Sequence, residues 1–392
     1  MKYDFDKPTN RRGTMSVKWD ETEDPRELPL WVADMDFETA PAITDAILRR
    51  AKSGIFGYVH PSEEYYHAIT DWFNRRHGWN IHRDSVIYVP GVVPAISAII
   101  KALVKPGQGV IIQTPVYNCF FSSIANNGCL TIENSLLRQG NTYVMDYEDL
   151  ERCCADPNNK MLLLCNPHNP AGRVWTRAEL ERVAEIAGRH DVVVVSDEIH
   201  CELVFDKAGY VPFATVSTKP CVSCVSPSKA FNTAGLHTAN IVAPDPEMRA
   251  LIDRAVNINE VCDIGVFGPV ALIAAYNHGE DWLDQLLVYI HANYEYLRER
   301  VNVINQVLAR KGVSPLNVLR LEGTYLAWVD VSTLGLPVEA LCERLRKEAH
   351  VRFTPGTAYG SDGEGYIRVN LATQKATLAE AMNRLENFIA AL

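Results

Sequence analysis

Apolar and polar positions follow two rhythms along this chain, and the change between them divides it. Between about 86 and 245, short apolar, β-branched runs alternate with helical stretches. The runs 86–89, 110–112, 130–132, 161–165, 192–195 and 222–225 read as strands. Val192 to Val195 is valine throughout, which suits a strand buried on both faces. Helices are expected over 95–104 and 177–189. This alternation predicts an α/β fold with a mostly parallel sheet flanked by helices. Active sites in such sheets gather at the carboxyl ends of the strands.

Outside that region the pattern differs. Pro41 opens a helix, where its missing N–H costs nothing, and Gly54 ends it. Gly57-Tyr58-Val59-His60-Pro61 reads as a turn, and 65–77 as an amphipathic helix stopped by Gly78. Residues 1–40 show little periodicity, yet Trp31-Val32-Ala33-Asp34-Met35-Asp36-Phe37 is too apolar for a free arm. It is expected to pack across a domain boundary. After Pro269 the rhythm is helical: Leu283, Leu287, Ile290, Tyr294, Leu297, Val301, Ile304 and Leu308 recur at steps of four and three. That is one apolar face of a long helix ended by Gly312. Strands at 325–331 and 366–371 and a last helix from about Thr377 follow. The expected organisation is an N-terminal segment, 1–40, packing on the small domain and the active site. A large domain, 41–282, and a small α/β domain, 283–392, opened by the long helix, complete it.

Composition narrows the class. A net charge of −10 argues against a nucleic-acid surface, which would be basic. No apolar run is long enough to span a bilayer. The start, Met1 to Pro8, lacks a signal core or a transit pattern, so a cytoplasmic protein is expected. Its ten cysteines are then reduced thiols. Cys221-x-x-Cys224 lies on a strand, where residues three apart face opposite ways, and no metal site is expected.

Four strand ends carry complementary chemistry. Asn166-Pro167-His168-Asn169-Pro170-Ala171-Gly172 follows 161–165, and Asp197-Glu198-Ile199-His200 follows 192–195. Ser226-Pro227-Ser228-Lys229 follows 222–225, and Pro90-Gly91-Val92-Val93 follows 86–89. Alone, Lys229 fits a surface lysine, Asp197 a helix N-cap and the Gly91 turn a plain connection. In one crevice, Lys229 can be desolvated and titrate low, and free N–H groups after Gly91 can hold a phosphate. A lysine for an imine, a carboxylate for a ring nitrogen, and hydroxyls plus amides for a phosphate are the needs of pyridoxal phosphate.

On these residues the chain resembles, end to end, the fold-type-I pyridoxal-phosphate enzymes of the class I/II aminotransferase superfamily. The Trp31-to-Phe37 run, Lys229-Ala230-Phe231-Asn232-Thr233-Ala234-Gly235-Leu236 and Gly365-Tyr366-Ile367-Arg368-Val369-Asn370 resemble its cystathionine β-lyase (carbon–sulfur lyase) branch. The resemblance implies that Lys229 bonds the cofactor and later moves the Cα proton, and that Asp197 keeps the pyridine nitrogen protonated. Asn169 would bond the phenolic oxygen and the substrate carboxylate, Tyr117 would stack on the ring, and Arg368 would grip the carboxylate beside Ala33. The N–H groups of Val92 and Val93, with the Ser226 and Ser228 hydroxyls, would take the phosphate. Tyr58 would reach the phosphate of the neighbouring subunit, which implies a homodimer.

Two departures lean toward the lyases. His237 stands where aminotransferases commonly carry a phosphate-binding arginine, and His200 where they often carry a tyrosine near the cofactor. The expected activity is β-elimination from cystathionine or another L-cysteine S-conjugate, giving pyruvate, ammonia and a thiol. An aminotransferase acting on L-amino acids is the alternative, and a cofactor-binding regulatory protein a further one.

Overall fold

In the computed structural model, residues 2–205, 209–258 and 263–392 are described. A seven-stranded sheet runs in the order Val86–Val89, Ala239–Val242, Cys221–Val225, Val193–Asp197, Asn159–Cys165, Gly109–Ile112, Leu130–Glu133. Every neighbouring pair is parallel except the two made by Ala239–Val242. The expected mostly parallel sheet flanked by helices is therefore present. Gly109–Ile112 and Cys221–Val225 are buried along their whole length, as strands covered on both faces are.

The helices start and stop where local chemistry dictates. Ser62 caps Glu63–His77 by accepting from the Tyr65 N–H, and Gly78 ends it in the left-handed conformation at φ 62°. Thr176 and Glu179 form a reciprocal capping box on Arg177–Arg189. The Pro41 helix stops at Ala51 rather than at Gly54, and residues 54–62 have no regular structure, so the expected turn at 57–61 is not formed. The helix after Gly91 begins at Val92, earlier than the expected 95. Pro94 misleads there, since proline reads as a break yet costs nothing in a first turn.

A second, antiparallel sheet orders Asn317–Val318, Leu326–Asp330, Tyr366–Asn370 and Thr354–Pro355. The long helix Glu280–Arg310 leads into it. All the positions expected on its buried face are buried except Leu287, which is half-exposed. Trp282 and Leu286 are buried as well, because a 3.6-residue turn drifts away from a strict seven-residue repeat.

The N-terminal segment joins the two sheets. Leu28–Pro29 pairs in parallel with Val351–Arg352, and the Leu30 carbonyl accepts from Asn370 N–H at 3.0 Å. On the other side, Asn232 Nδ2 donates to the Met35 and Phe37 carbonyls, both at 3.0 Å. A buried ion pair anchors the segment to itself: Lys18 Nζ lies 2.8 Å from Asp36 Oδ2, with both side chains at most 1% exposed. Asp36 also accepts from Trp19 Nε1 and Arg11 Nη1. Its carboxyl is held below its usual range: burial opposes this, but the Lys18 charge and these bonds outweigh it.

Removing one partner strands a buried charge, whereas removing both does not. Asp36→Leu is therefore expected to cost roughly 3–5 kcal/mol in urea unfolding, and Lys18→Met with Asp36→Leu distinctly less. A double variant no more stable than the single would contradict this account.

Candidate active site

The loops that leave the parallel strands meet the 31–33 and 354–359 segments around a cavity of about 600 Å³. Lys229, Asp197, Asn169, Tyr117, His200, Ser228, Val92, Val93, Ala33 and Arg368 all line it. Ser226 and Tyr58 do not.

Lys229 is aimed inward by a tightly wound loop. Phe231 N–H bonds back to the Pro227 carbonyl at 2.9 Å, Thr233 N–H to the Ser228 carbonyl at 3.0 Å, and Asn232 sits at φ 54°. Its Nζ donates to the Ala33 carbonyl at 2.7 Å, and that oxygen also accepts from the Tyr325 hydroxyl at 2.9 Å. Burial, with the Arg368 charge adding, pulls the amine down to about 8, against the pull of Asp34 and Asp197.

Asp197 is the last residue of its strand, and no helix follows it, so it is not an N-cap. Oδ1 accepts from Ile199 N–H at 3.1 Å. Burial pushes the carboxyl up to about 7, with Glu198 adding and Ile199 N–H and Lys229 opposing. The site thus holds a carboxylate short of positive charge. His200, 3% exposed, is pushed well below its usual range by burial and by Lys229 and Arg368. Its Nδ1 has no partner.

Arg368 Nη1 donates to Asn169 Oδ1 at 3.2 Å and Nη2 to the Trp31 carbonyl at 2.8 Å, while Nε is unpartnered. Its guanidinium lies over the Tyr359 ring at 4.8 Å. Across the cavity, Ala95 N–H bonds Gly91 and Pro94 has no N–H, so Val92 and Val93 present the free donors of this helix start. Ser226 lies behind Ser228, its hydroxyl 2.7 Å from the Thr238 carbonyl and 2.9 Å from Ser228 Oγ. A carbonyl can only accept, so the Ser226 proton goes there and the Ser228 hydroxyl supplies the other bond. Tyr58 is 96% exposed.

The sequence pattern of the family described as "Aminotransferase class I and II" matches residues 26–385. Cystathionine beta-lyase PatB of Bacillus subtilis is 39% identical over 389 residues, 97% of this chain and 98% of that protein. Two solved structures each superpose with a TM-score of 0.93. One, cystalysin from Treponema denticola, contains pyridoxal 5'-phosphate and is 32% identical, covering 99% of this chain and 98% of its own. The other, a pyridoxal-phosphate-bound putative aminotransferase from Clostridium difficile, is 39% identical, covering 99% and 100%. This chain belongs to the class I and II aminotransferase family.

In this aminotransferase-family chain, several residues in the wall or supporting it had no signal of their own in the sequence. Tyr325 and Tyr359 look like core tyrosines until folding turns them toward Ala33 and Arg368. Asn370 Nδ2 donates to the Val32 and Asp34 carbonyls at 2.6 and 2.7 Å, fixing the Ala33 carbonyl between them. Asn370 and Asn232 do lie inside the segments resembling the lyase branch, and that placement was the available clue.

The raised Asp197 pKa sets a pH dependence in the ligand-free chain. Because the folded value, about 7, exceeds the ordinary 3.8, the folded state holds a proton there that the unfolded state has lost, and stability falls as pH rises through that window. Asn cannot ionise, so Asp197→Asn should gain on wild type by on the order of 1–4 kcal/mol between about pH 4 and about pH 8. Urea unfolding of both proteins at both pH values checks this, and a difference independent of pH would refute it.

Proposed function

We propose that this chain is a cytoplasmic, homodimeric, pyridoxal-phosphate-dependent carbon–sulfur β-lyase. It takes cystathionine or another L-cysteine S-conjugate to pyruvate, ammonia and a thiol. The observation that carries this reading is the convergence of three groups on one cavity: a low-titrating lysine, a buried carboxylate short of positive charge, and a buried arginine. A cystathionine beta-lyase among the relatives supports the reaction type. The described cysteines are all free thiols, which suits a reducing compartment.

The residues fit the cofactor. Asp197 lacks the cation that a protonated pyridine nitrogen would supply. The Val92 and Val93 amides suit a phosphate, as does the Ser228 hydroxyl once it turns its proton from Ser226 toward the guest. His200, neutral and with an unpartnered nitrogen, is left to face the cofactor. Bound there, pyridoxal phosphate supplies an aldehyde for amines and a cationic ring that withdraws electrons from the substrate Cα.

The chain's own residues do the rest. Arg368 and Asn169 orient the substrate carboxylate, and Tyr117 holds the ring plane. Lys229, partly neutral near pH 8 and tethered beside Cα, takes that proton without diffusing. The Ala33 carbonyl sets its direction. Segment 1–40, the large domain 41–282 and the small domain 283–392 are the units of this reading, with Tyr58 serving the partner's phosphate. Its 96% exposure supports that assignment.

Once Lys229 has taken the Cα proton, a β-thiolate leaves the substrate, or the substrate would instead be transaminated with the bound cofactor. About 1.4 kcal/mol between those barriers is already tenfold in outcome. The structural neighbour described as a putative aminotransferase favours the second course as the alternative. The lyase reading expects pyruvate and free thiol from cystathionine with no keto acid present. Turnover that strictly requires a keto acid, with no pyruvate from S-conjugates, would replace it with transamination.

Two further outcomes are expected. Lys229→Ala should lose about 10²–10⁴-fold or more in turnover, and borohydride should fix the cofactor of wild type on Lys229 in peptide maps. An adduct on another lysine would refute the site. Mixing Tyr58→Phe with Lys229→Ala subunits should give hybrids in which one of the two sites is intact. Hybrids whose activity per intact Lys229 only matches that of the Tyr58→Phe parent would rule out a shared site.

A further inference from the structure

Nine cysteines lie among the described residues; eight are buried and Cys119 is not. Cys119 lines the same cavity as Lys229 and Arg368. Its chain neighbours Tyr117 and Asn118 line that cavity too. It is also the first residue of the helix Cys119–Asn126, so negative charge gathering on sulfur during a displacement faces the positive end of that helix.

The opposing walls are prepared for a polar guest. Arg368, 5% exposed, has an unpartnered Nε, and His200, 3% exposed, an unpartnered Nδ1. An amino-acid head bound by Arg368 places its own side chain in the cavity that holds the Cys119 sulfur. Among the other described cysteines, Cys165 also lines the cavity but is only 2% exposed, and burial pushes its thiol up, as it does that of Cys224.

We propose that Cys119 is a thiol–disulfide exchange site, where disulfides of amino-acid thiols enter the cavity and switch the enzyme off reversibly. The inference rests on the reading that the cavity takes L-amino acids. In the exchange Cys119 gives up its proton and Sγ attacks one sulfur of R–S–S–R. The Sγ–S bond forms as the S–S bond breaks, and the departing RS⁻ takes up that proton. One disulfide replaces another, so the disulfide itself is the only oxidant required. The attached R group occupies the substrate's place, and a free thiol removes it by the reverse step.

The test treats the holoenzyme with L-homocystine and, in parallel, with bis(2-hydroxyethyl) disulfide, which lacks the amino-acid head. Intact mass should show one homocysteine adduct and peptide mapping should place it on Cys119. Turnover should fall in proportion to the adduct and return with dithiothreitol. Head-group binding raises the local concentration of the disulfide, so L-homocystine should react about tenfold or more faster than the hydroxyethyl compound. Cys119→Ser, compared with its own untreated activity, should lose none of it. A first adduct on another cysteine, equal rates with the two disulfides, or equal inactivation of Cys119→Ser and wild type would overturn the proposal. Turnover is followed both as pyruvate from cystathionine and as keto-acid-dependent transamination. If only the second is seen, the lyase reading falls while the Cys119 result is still read on the activity that remains.

Discussion

The hydrogen bond from Lys229 Nζ to the Ala33 carbonyl ties the architecture together. An amine that is to titrate near neutrality must be kept from water, yet it still needs an acceptor, and a backbone carbonyl supplies one without adding a charge. The parallel sheet alone brings Lys229 only to an open strand end. The 31–37 segment closes it, and that segment has no sheet of its own to hold it. It is held by Asn232 on the lysine's loop, by Asn370 on the second sheet, and by the buried Lys18–Asp36 pair. Each of these contacts is remote in sequence from Ala33's other neighbours, so the position of one oxygen depends on the assembly of the whole chain.

The same enclosure governs the electrostatics. Lys229, Arg368, His200 and Asp197 share one water-poor space, where charges are felt more strongly than in solution. Burial, helped by two cations, drives His200 to its neutral form, and a single carboxylate is left under-compensated. A guest carrying a cationic ring, a phosphate and a carboxylate would balance these charges group by group. The cavity's polarity is therefore an arrangement for a ligand rather than for the stability of the empty chain. The partly buried thiol of Cys119 belongs to the same space, which is why its reactivity would be coupled to occupancy of the site.

Much of this was legible in order along the chain. Strands such as Val86–Val89 and helices such as Arg177–Arg189 are written in local rhythm and caps, and they fall where those signals put them. The strand Ala239–Val242 carried no such signal: it is four residues long, has Asn240 at its centre, and runs against its neighbours. Asn240 is tolerated there because its Oδ1 accepts from the Tyr65 hydroxyl at 2.7 Å, a partner 175 residues away. The helix at Val92 and the free end at Ala51 were misplaced for a similar reason, since proline and glycine mark boundaries only to within a few residues.

By itself the sequence determined which residue types stand at which strand ends: the lysine after two serines, the aspartate after a valine run, the arginine and asparagine of the 365–370 segment. These depend on local chain chemistry, and a linear reading recovers them. Only the tertiary structure decided that Tyr325, Asn370 and Asn232 all act on the 33–37 backbone, that Ser226 stands behind Ser228, and that of the two cysteines lining the cavity, Cys119 and Cys165, only Cys165 is buried. Burial and direction are properties of packed surfaces, set by contacts between segments far apart in the chain, and no periodicity within a segment encodes them.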